Sequence, residues 1–260
     1  MAEPLQIFDR RAVRLHKSRA SRTIESVKPI LAEAAERLLE RLDPVRRSFQ
    51  QALDIGGRGV VAPMLQARGI AVFACDPSPE MARRAGAPAV AADEEWFPFA
   101  PASFDLIVAN LSLHWVNDLP GTLLQIRHAL RPEGLFLASL PIVGTLAELR
   151  RALTEAEAAL SGGVSPRISP LPTLRDCAGL LQRAGFAMPV ADLEEIRLLY
   201  ANPMRLLADL RAGGETNALA ERARKIPPRA LFPLALSQLQ QEDGRIPVTL
   251  RLAMLTGWNS

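Results

Sequence analysis

Four short segments end apolar runs with residues whose types and spacing could do chemistry. The first, Asp54-Ile55-Gly56-Gly57-Arg58-Gly59, precedes a helical pattern. Glycines let a backbone approach a ligand closely, and the helix that follows offers free N–H groups at its positive end. Asp54, Gly56, Gly57 and Gly59 are therefore candidate ligand contacts, although a tight turn in any α/β domain uses the same residues. Asp76 closes the second run, Ala71-Val72-Phe73-Ala74-Cys75, and an acid about 20 residues beyond a glycine turn can accept both hydroxyls of a ribose. Asp76-Pro77-Ser78-Pro79-Glu80 also reads as a helix start, capped by Ser78 with Pro79 in the first turn. Asp93 can accept a hydrogen bond from an adenine amino group, while Glu94 and Glu95 beside it make a solvated acidic cluster the competing reading. Asn110-Leu111-Ser112-Leu113-His114-Trp115 joins a polar turn to an imidazole and an indole. His114 is there a candidate base or a satisfied structural histidine. His16 and His128 fall in helical patterns without partners and read as surface or packing residues.

These residues act together only if the runs before them lie side by side. In an open parallel sheet, ligands bind at the carboxyl ends of the strands, where strand order reverses. The runs at 52–55, 71–75, 89–91, 104–109 and 135–140 alternate with helical patterns, which predicts a mostly parallel sheet covered on both faces. A turn, Arg131-Pro132-Glu133-Gly134, precedes the last of them. Ahead of the sheet, apolar residues from Asp9 to about Arg41 recur at helical spacing and predict an N-terminal arm over 1–50, with one domain over 51–260. Within that domain 141–172 reads as an insertion: a helix from Thr145 to Leu160, then a loop with Pro166, Pro170 and Pro172 that has the length of a lid. A helix from Leu174 to Ala184, a strand from Val190 to Tyr200, helices after Pro203 and Pro228 and a last strand from Val248 to Thr256 complete the chain.

Composition narrows the class of function. The formal charge is +3 at pH 7, but basic residues are interspersed with acids and form no aromatic-interleaved strip, which argues against nucleic acid as a partner. No stretch approaches the roughly 18 apolar residues of a membrane span. The most apolar segment, Phe104 to Leu113, is broken by Asp105 and Asn110, so a soluble chain is expected. Cys75 and Cys177 stand far apart without a CxxC or a histidine at ligand spacing, so neither a disulfide framework nor a structural metal is expected. The N-terminal arginines are interrupted by Glu3 and Asp9, unlike an acid-poor transit peptide.

At these residues the sequence resembles the class I S-adenosylmethionine-dependent methyltransferases. Leu53-Asp54-Ile55-Gly56 is similar to their first motif, Asp76 to the acid after the second strand and Asp93 to the adenine contact. Phe104-Asp105-Leu106-Ile107-Val108 and Leu130-Arg131-Pro132-Glu133-Gly134 resemble the fourth- and fifth-strand motifs. The resemblance implies a Rossmann-like, seven-stranded, mostly parallel sheet with helices on both faces, S-adenosylmethionine as cofactor, and Asn110 among its contacts. Gln6-Ile7-Phe8-Asp9-Arg10, Ser112 to Pro120, Ser165-Pro166-Arg167-Ile168-Ser169-Pro170, Gly214-Glu215-Thr216-Asn217 and Gly257-Trp258 further resemble the mitochondrial complex I assembly factor 5 group and its bacterial relatives. That group is itself similar to the malonyl-carrier-protein O-methyltransferases of biotin synthesis.

The second resemblance implies an arginine hydroxylase acting on a respiratory NADH dehydrogenase subunit during assembly. Trp115, Ser165 and Ser169 would then cover a protein substrate, in the cytoplasm of a bacterium or the mitochondrial matrix of a eukaryote. The alternatives are an O-methyltransferase of a small molecule or acyl-carrier substrate, with His114 as base, and a non-catalytic assembly chaperone. The first motif departs from the family's Asp-x-Gly-x-Gly-x-Gly: ungapped, Arg58 and Val60 take the second and third glycine places. A one-residue deletion after Gly56 would instead align Gly57 and Gly59. Either register alters the turn, and the side chain of Arg58 must point away from a ligand or take part of its space.

Overall fold

The computed structural model describes residues 6–223 and 225–260; residues 1–5 of the expected arm lie outside them. Its seven strands are β1 (Gln51–Ile55), β2 (Ala71–Asp76), β3 (Ala89–Ala91), β4 (Phe104–Asn110), β5 (Leu130–Pro141), β6 (Ala187–Tyr200) and β7 (Ile246–Trp258), in the spatial order β3-β2-β1-β4-β5-β7-β6. β1 pairs in parallel with β2 and β4, β2 with β3, and β4 with β5; β7 runs antiparallel to both β5 and β6. Strand order reverses between β1 and β4, so the crevice at their carboxyl ends is the place for a ligand.

Alternation along the strands supplies two apolar faces. Ala52, Val72, Leu106, Val108, Leu135 and Leu137 point to one side, where helices α2 (Lys28–Leu39) and α3 (Val61–Ala67) cover them. Leu53, Ile55, Ile107, Ala109, Phe136 and Ala138 point to the other, under α5 (Leu119–Ala129) and α7 (Leu174–Arg183). The arm begins with α1 (Arg10–Ala20), whose N-cap Asp9 accepts the Ala12 N–H. Four-residue α4 (Pro79–Ala82) follows β2, with Ser78 accepting the Met81 N–H as its cap. Three further helices, α6 (Ala147–Ser161), α8 (Pro203–Gly213) and α9 (Leu231–Ser237), pack with the ends of β6 and β7 in a separate apolar cluster.

The expected turn at 131–134 lies inside β5 instead. The side-chain amide of Asn259 donates to the Leu130 and Arg131 carbonyls at 2.9 and 3.2 Å, and the Asn259 N–H donates to the Gly134 carbonyl at 2.8 Å. The strand thereby stays continuous through a register shift opposite Phe104 and Leu106, with Glu133 at φ 60°. β6 and β7 are each longer than their apolar cores, because they pair antiparallel from Tyr200↔Ile246 to Ala187↔Trp258.

Asp105, a charge that interrupts the most apolar segment, ties β4 to the start of β1. Its two carboxylate oxygens accept the Gln50 and Gln51 N–H groups, each at 2.9 Å, and the residue is buried. Asp105→Ala leaves both donors unpaired and is expected to lower unfolding stability by about 2 kcal/mol in urea melts, with Asp105→Asn losing about half as much.

Candidate functional site

The crevice between β1 and β4 is crossed by the chain itself. Arg58, in the turn after β1, is buried, and its guanidinium donates to the Asn110 carbonyl at 2.9 Å, to the Leu111 carbonyl and to Glu215 Oε1 at 3.3 Å. Gly56 and Gly59 have φ of 71° and 73°, which L side chains rarely adopt. A Cβ at Gly56 would strike Ser112, and one at Gly59 would strike the Arg84 carbonyl, so these glycines admit the protein's own close approaches. A Cβ at Gly57 would press on Ala74 at 3.0 Å and Ala85 at 3.1 Å.

Asp76, the last residue of β2, and Asp93, just past β3, both have protein partners. Asp76 is 0% exposed; its Oδ1 accepts the Ser78 N–H at 2.8 Å and its Oδ2 takes the Lys17 ammonium at 3.2 Å. Asp76 thus braces the capped start of α4, and its second oxygen is held by Lys17. Lys17 Nζ also reaches Glu94 Oε1 at 3.0 Å, and the two residues are 4% and 1% exposed. Asp93 accepts from Arg10 at 2.6 and 3.3 Å, and the same guanidinium donates to Glu94 and, at 2.8 Å, to the Trp115 carbonyl. Asp54 Oδ2 is buried with no hydrogen-bond partner. Asn110 spends its side chain on the scaffold, donating to the Leu31 carbonyl at 3.0 Å and accepting from Ser139 Oγ at 2.7 Å.

Charge within this cluster is mutually supporting. Burial works against the Lys17 ammonium, but Asp76 and Glu94 outweigh it and push its pKa up. Glu94 is likewise held down by Lys17 and Arg10 against the pull of burial. In Asp76 burial wins and the carboxyl is raised in spite of Lys17.

Glu215 forms a second hub on the far side of Arg58. Its Oε2 accepts from Trp115 Nε1 at 3.0 Å and lies 2.7 Å from His114 Nε2, while Oε1 faces Arg58. Burial alone would raise this carboxyl, but His114, then Arg58 and Lys17, hold it down to about 2. The other ring nitrogen of His114, Nδ1, is buried without a partner. Trp115 is fixed by an edge-on contact with Phe8 at 5.3 Å between centroids. These groups open onto a cavity of about 900 Å³, walled by Leu149, Leu198, Leu210 and Leu252. Ser169 and the half-buried His16 also line it. Ser165, expected over a substrate, instead donates its N–H to Glu157 Oε2 at 3.2 Å, because Arg167 draws Glu157 into the same corner at 2.7 and 2.9 Å. Cys75 and Cys177 are buried and unpaired.

A family model described as a methyltransferase domain matches residues 27–189. The chain belongs to this methyltransferase family. It is 37% identical to the human arginine-hydroxylase NDUFAF5, mitochondrial, over 98% of this chain and 77% of that one. It is 33% identical to the malonyl-[acyl-carrier protein] O-methyltransferase of Xylella fastidiosa, over 97% of this chain and 88% of that one. The fold is similar to the YcgJ protein of Bacillus subtilis, with a TM-score of 0.60 at 13% identity over 87% of this chain and 97% of that one. Among the described residues no helix is long and apolar enough to cross a membrane, and no group of three or more His, Cys, Asp or Glu is arranged to hold a metal ion.

S-adenosylmethionine is the cofactor that family implies, and the crevice in this arrangement does not fit it. The hydrogen-bonding places of Asp76 and Asp93 are taken by Lys17 and Arg10, Arg58 bridges β1 to β4, and the glycines are filled against protein atoms. Three of the groups responsible were not singled out from the sequence. Lys17 and Arg10 belong to an N-terminal basic run weighed only against a transit peptide, and Glu215 lay within a matched segment without an assigned role. One signal for Lys17 was available, because the chain has only three lysines and this one falls on the face of α1 with buried Val13 and Ala20.

Asp54 gives the site a pH signature. Burial, with help from Asp76, raises its carboxyl to about 7 against the opposing Arg58 and Ala62 N–H. A folded pKa above the unfolded value penalises the folded state when the group must ionise. The penalty is absent below about pH 4 and full above about pH 7. Asp54→Asn is therefore expected to leave the urea midpoint unchanged at pH 4 and to add up to about 4 kcal/mol of stability at pH 8.

Proposed function

We propose that the chain is a protein-modifying enzyme of the arginine-hydroxylase assembly-factor kind, acting on a subunit of a respiratory NADH dehydrogenase in the bacterial cytoplasm or mitochondrial matrix. The observation that carries this reading is the 37% identity to the named arginine hydroxylase along 98% of the chain. The geometry supports a role for the His114, Trp115 and Glu215 group. Glu215 engages Nε2 of His114 and leaves Nδ1 as a buried, unpartnered nitrogen, an arrangement suited to moving one proton at the head of the cavity. Glu215 acts through His114 and Trp115 as a positioning residue. Trp115 and Ser169 would contact the substrate segment. The oxygen atom of a hydroxylation has to come from an oxidant other than these side chains, and the reading assigns them binding, orientation and proton handling only.

The cavity favours a second reading. Leucine is the commonest residue of its walls, and Arg150, Arg167 and Arg211 line it alongside Arg58, outnumbering the carboxylates Asp209 and Glu215. Apolar walls with cationic groups suit an acidic acyl substrate better than an arginine side chain. This supports an O-methyltransferase of a carboxylate, the activity named for the relative from Xylella fastidiosa.

Intact-mass analysis separates the two readings. Purified chain is incubated in a cell extract with an arginine-bearing respiratory subunit or with an acidic acyl-carrier substrate. A one-oxygen increment on an arginine is expected, falling roughly 10²-fold or more in rate with His114→Ala. Glu215→Gln should lower kcat with little change in KM. A methyl increment on the acyl substrate would replace the first reading by the second, and no increment on either would overturn both.

A further inference from the structure

The crevice at the reversal of strand order is filled by two cations from opposite ends of the same site. Arg58 enters from the glycine turn and closes it toward β4 by bonding the Asn110 and Leu111 carbonyls. Lys17 enters from α1 and closes it toward β2 by pairing with Asp76 and Glu94. Asp76 faces no solvent at all, so any ligand that uses this acid must first remove Lys17.

Two features make such an exchange feasible. The buried face of α1 is Ala12, Val13, Lys17 and Ala20, so its apolar anchor is small and much of its attachment is ionic. Arg10 to Asp93 and Glu94, Lys17 to Asp76 and Glu94, and Arg222 to Asp9 at 2.8 Å supply that attachment. A ligand's hydroxyl and cationic groups can take over the carboxylates that these ion pairs engage, whereas a large apolar anchor has to be exposed to water before the helix leaves. The crevice also holds more acid than base: Asp54, Asp76, Asp93, Glu94 and Glu215 face Arg10, Lys17, Arg58 and His114. An entering group with its own positive charge keeps these acids compensated, and a neutral one does not.

We propose that Lys17 and Arg58 are resident occupants of the nucleoside crevice, and that a cationic adenosyl ligand binds only by displacing Lys17 and releasing α1 from β2 and α4. The inference rests on reading this crevice as the nucleoside site, and is independent of which group is transferred. α1 then serves as a strap that ligand binding opens, the reverse of a helix that closes over a bound cofactor.

The test is calorimetric titration of S-adenosylmethionine into the full-length chain and into Lys17→Met, joined to hydrogen exchange of the 10–20 amides. Lys17→Met is expected to bind at least tenfold more tightly than the natural chain. In the natural chain at millimolar ligand, the 10–20 amides are expected to exchange at least tenfold faster than without it. Should Lys17→Met fail to fold, the exchange measurement on the natural chain decides. Equal affinity of both proteins, or slower exchange of 10–20 on binding, would overturn the proposal while leaving the nucleoside site standing. Absence of binding to both at millimolar ligand would overturn the two together.

Discussion

Two carboxylates at the ends of neighbouring strands, Asp76 and Glu94, are 0% and 1% exposed, and burying such charges costs several kcal/mol each unless a counter-charge is supplied in the same place. Lys17 supplies it at 3.2 and 3.0 Å, with Arg10 beside it. The docking of the arm follows from this need. α1 must lie where Arg10 and Lys17, about two turns apart, reach β2 and the segment after β3, and that position also carries Phe8 onto Trp115 and Asp9 onto Arg222. Trp115 so held brings its indole to Glu215, which in turn holds His114 and Arg58. One constraint thus links the arm, the crevice and the head of the cavity through contiguous hydrogen bonds.

Much of the sheet could be read in the chain because burial on both faces leaves near-continuous apolar runs bounded by turns. β1, β2 and β4 end at Ile55, Asp76 and Asn110, within a residue of where glycine, acid and amide punctuate the sequence. The limits of β5 were less legible. Pro132 and Gly134 carry local turn signals, but Asn259, more than a hundred residues away, holds the strand through them. β6 shows the same limit, since its half-exposed alternation over Ala187–Tyr200 is fixed by pairing with β7 rather than by its own apolar content.

In the candidate site, Asp76, Asp93 and His114 stood out because each closes or follows a strand, and Asp54 because a glycine turn follows it. Their partners were not recognisable in the same way. Lys17 meets Asp76 across 59 positions of sequence and Glu215 meets His114 across 101, and no local spacing encodes such a contact. Asn110, at the end of β4, has its amide engaged by Leu31 and Ser139 and braces the crevice. Arg58 was legible as a departure from a glycine pattern, and the structure gives that departure a geometry, a guanidinium laid across the gap between β1 and β4.

Burial of the Lys17 ammonium in ion pairs with Asp76 and Glu94 is tested most directly by lysine-selective ¹⁵N NMR of the side-chain ammonium groups. The chain contains only Lys17, Lys28 and Lys225, so assignment needs few variants. One ammonium resonance, absent in Lys17→Met, is expected to persist with slow solvent exchange at neutral pH and to show couplings across hydrogen bonds to carboxylates. Solvent-rate exchange of all three lysines would contradict the account.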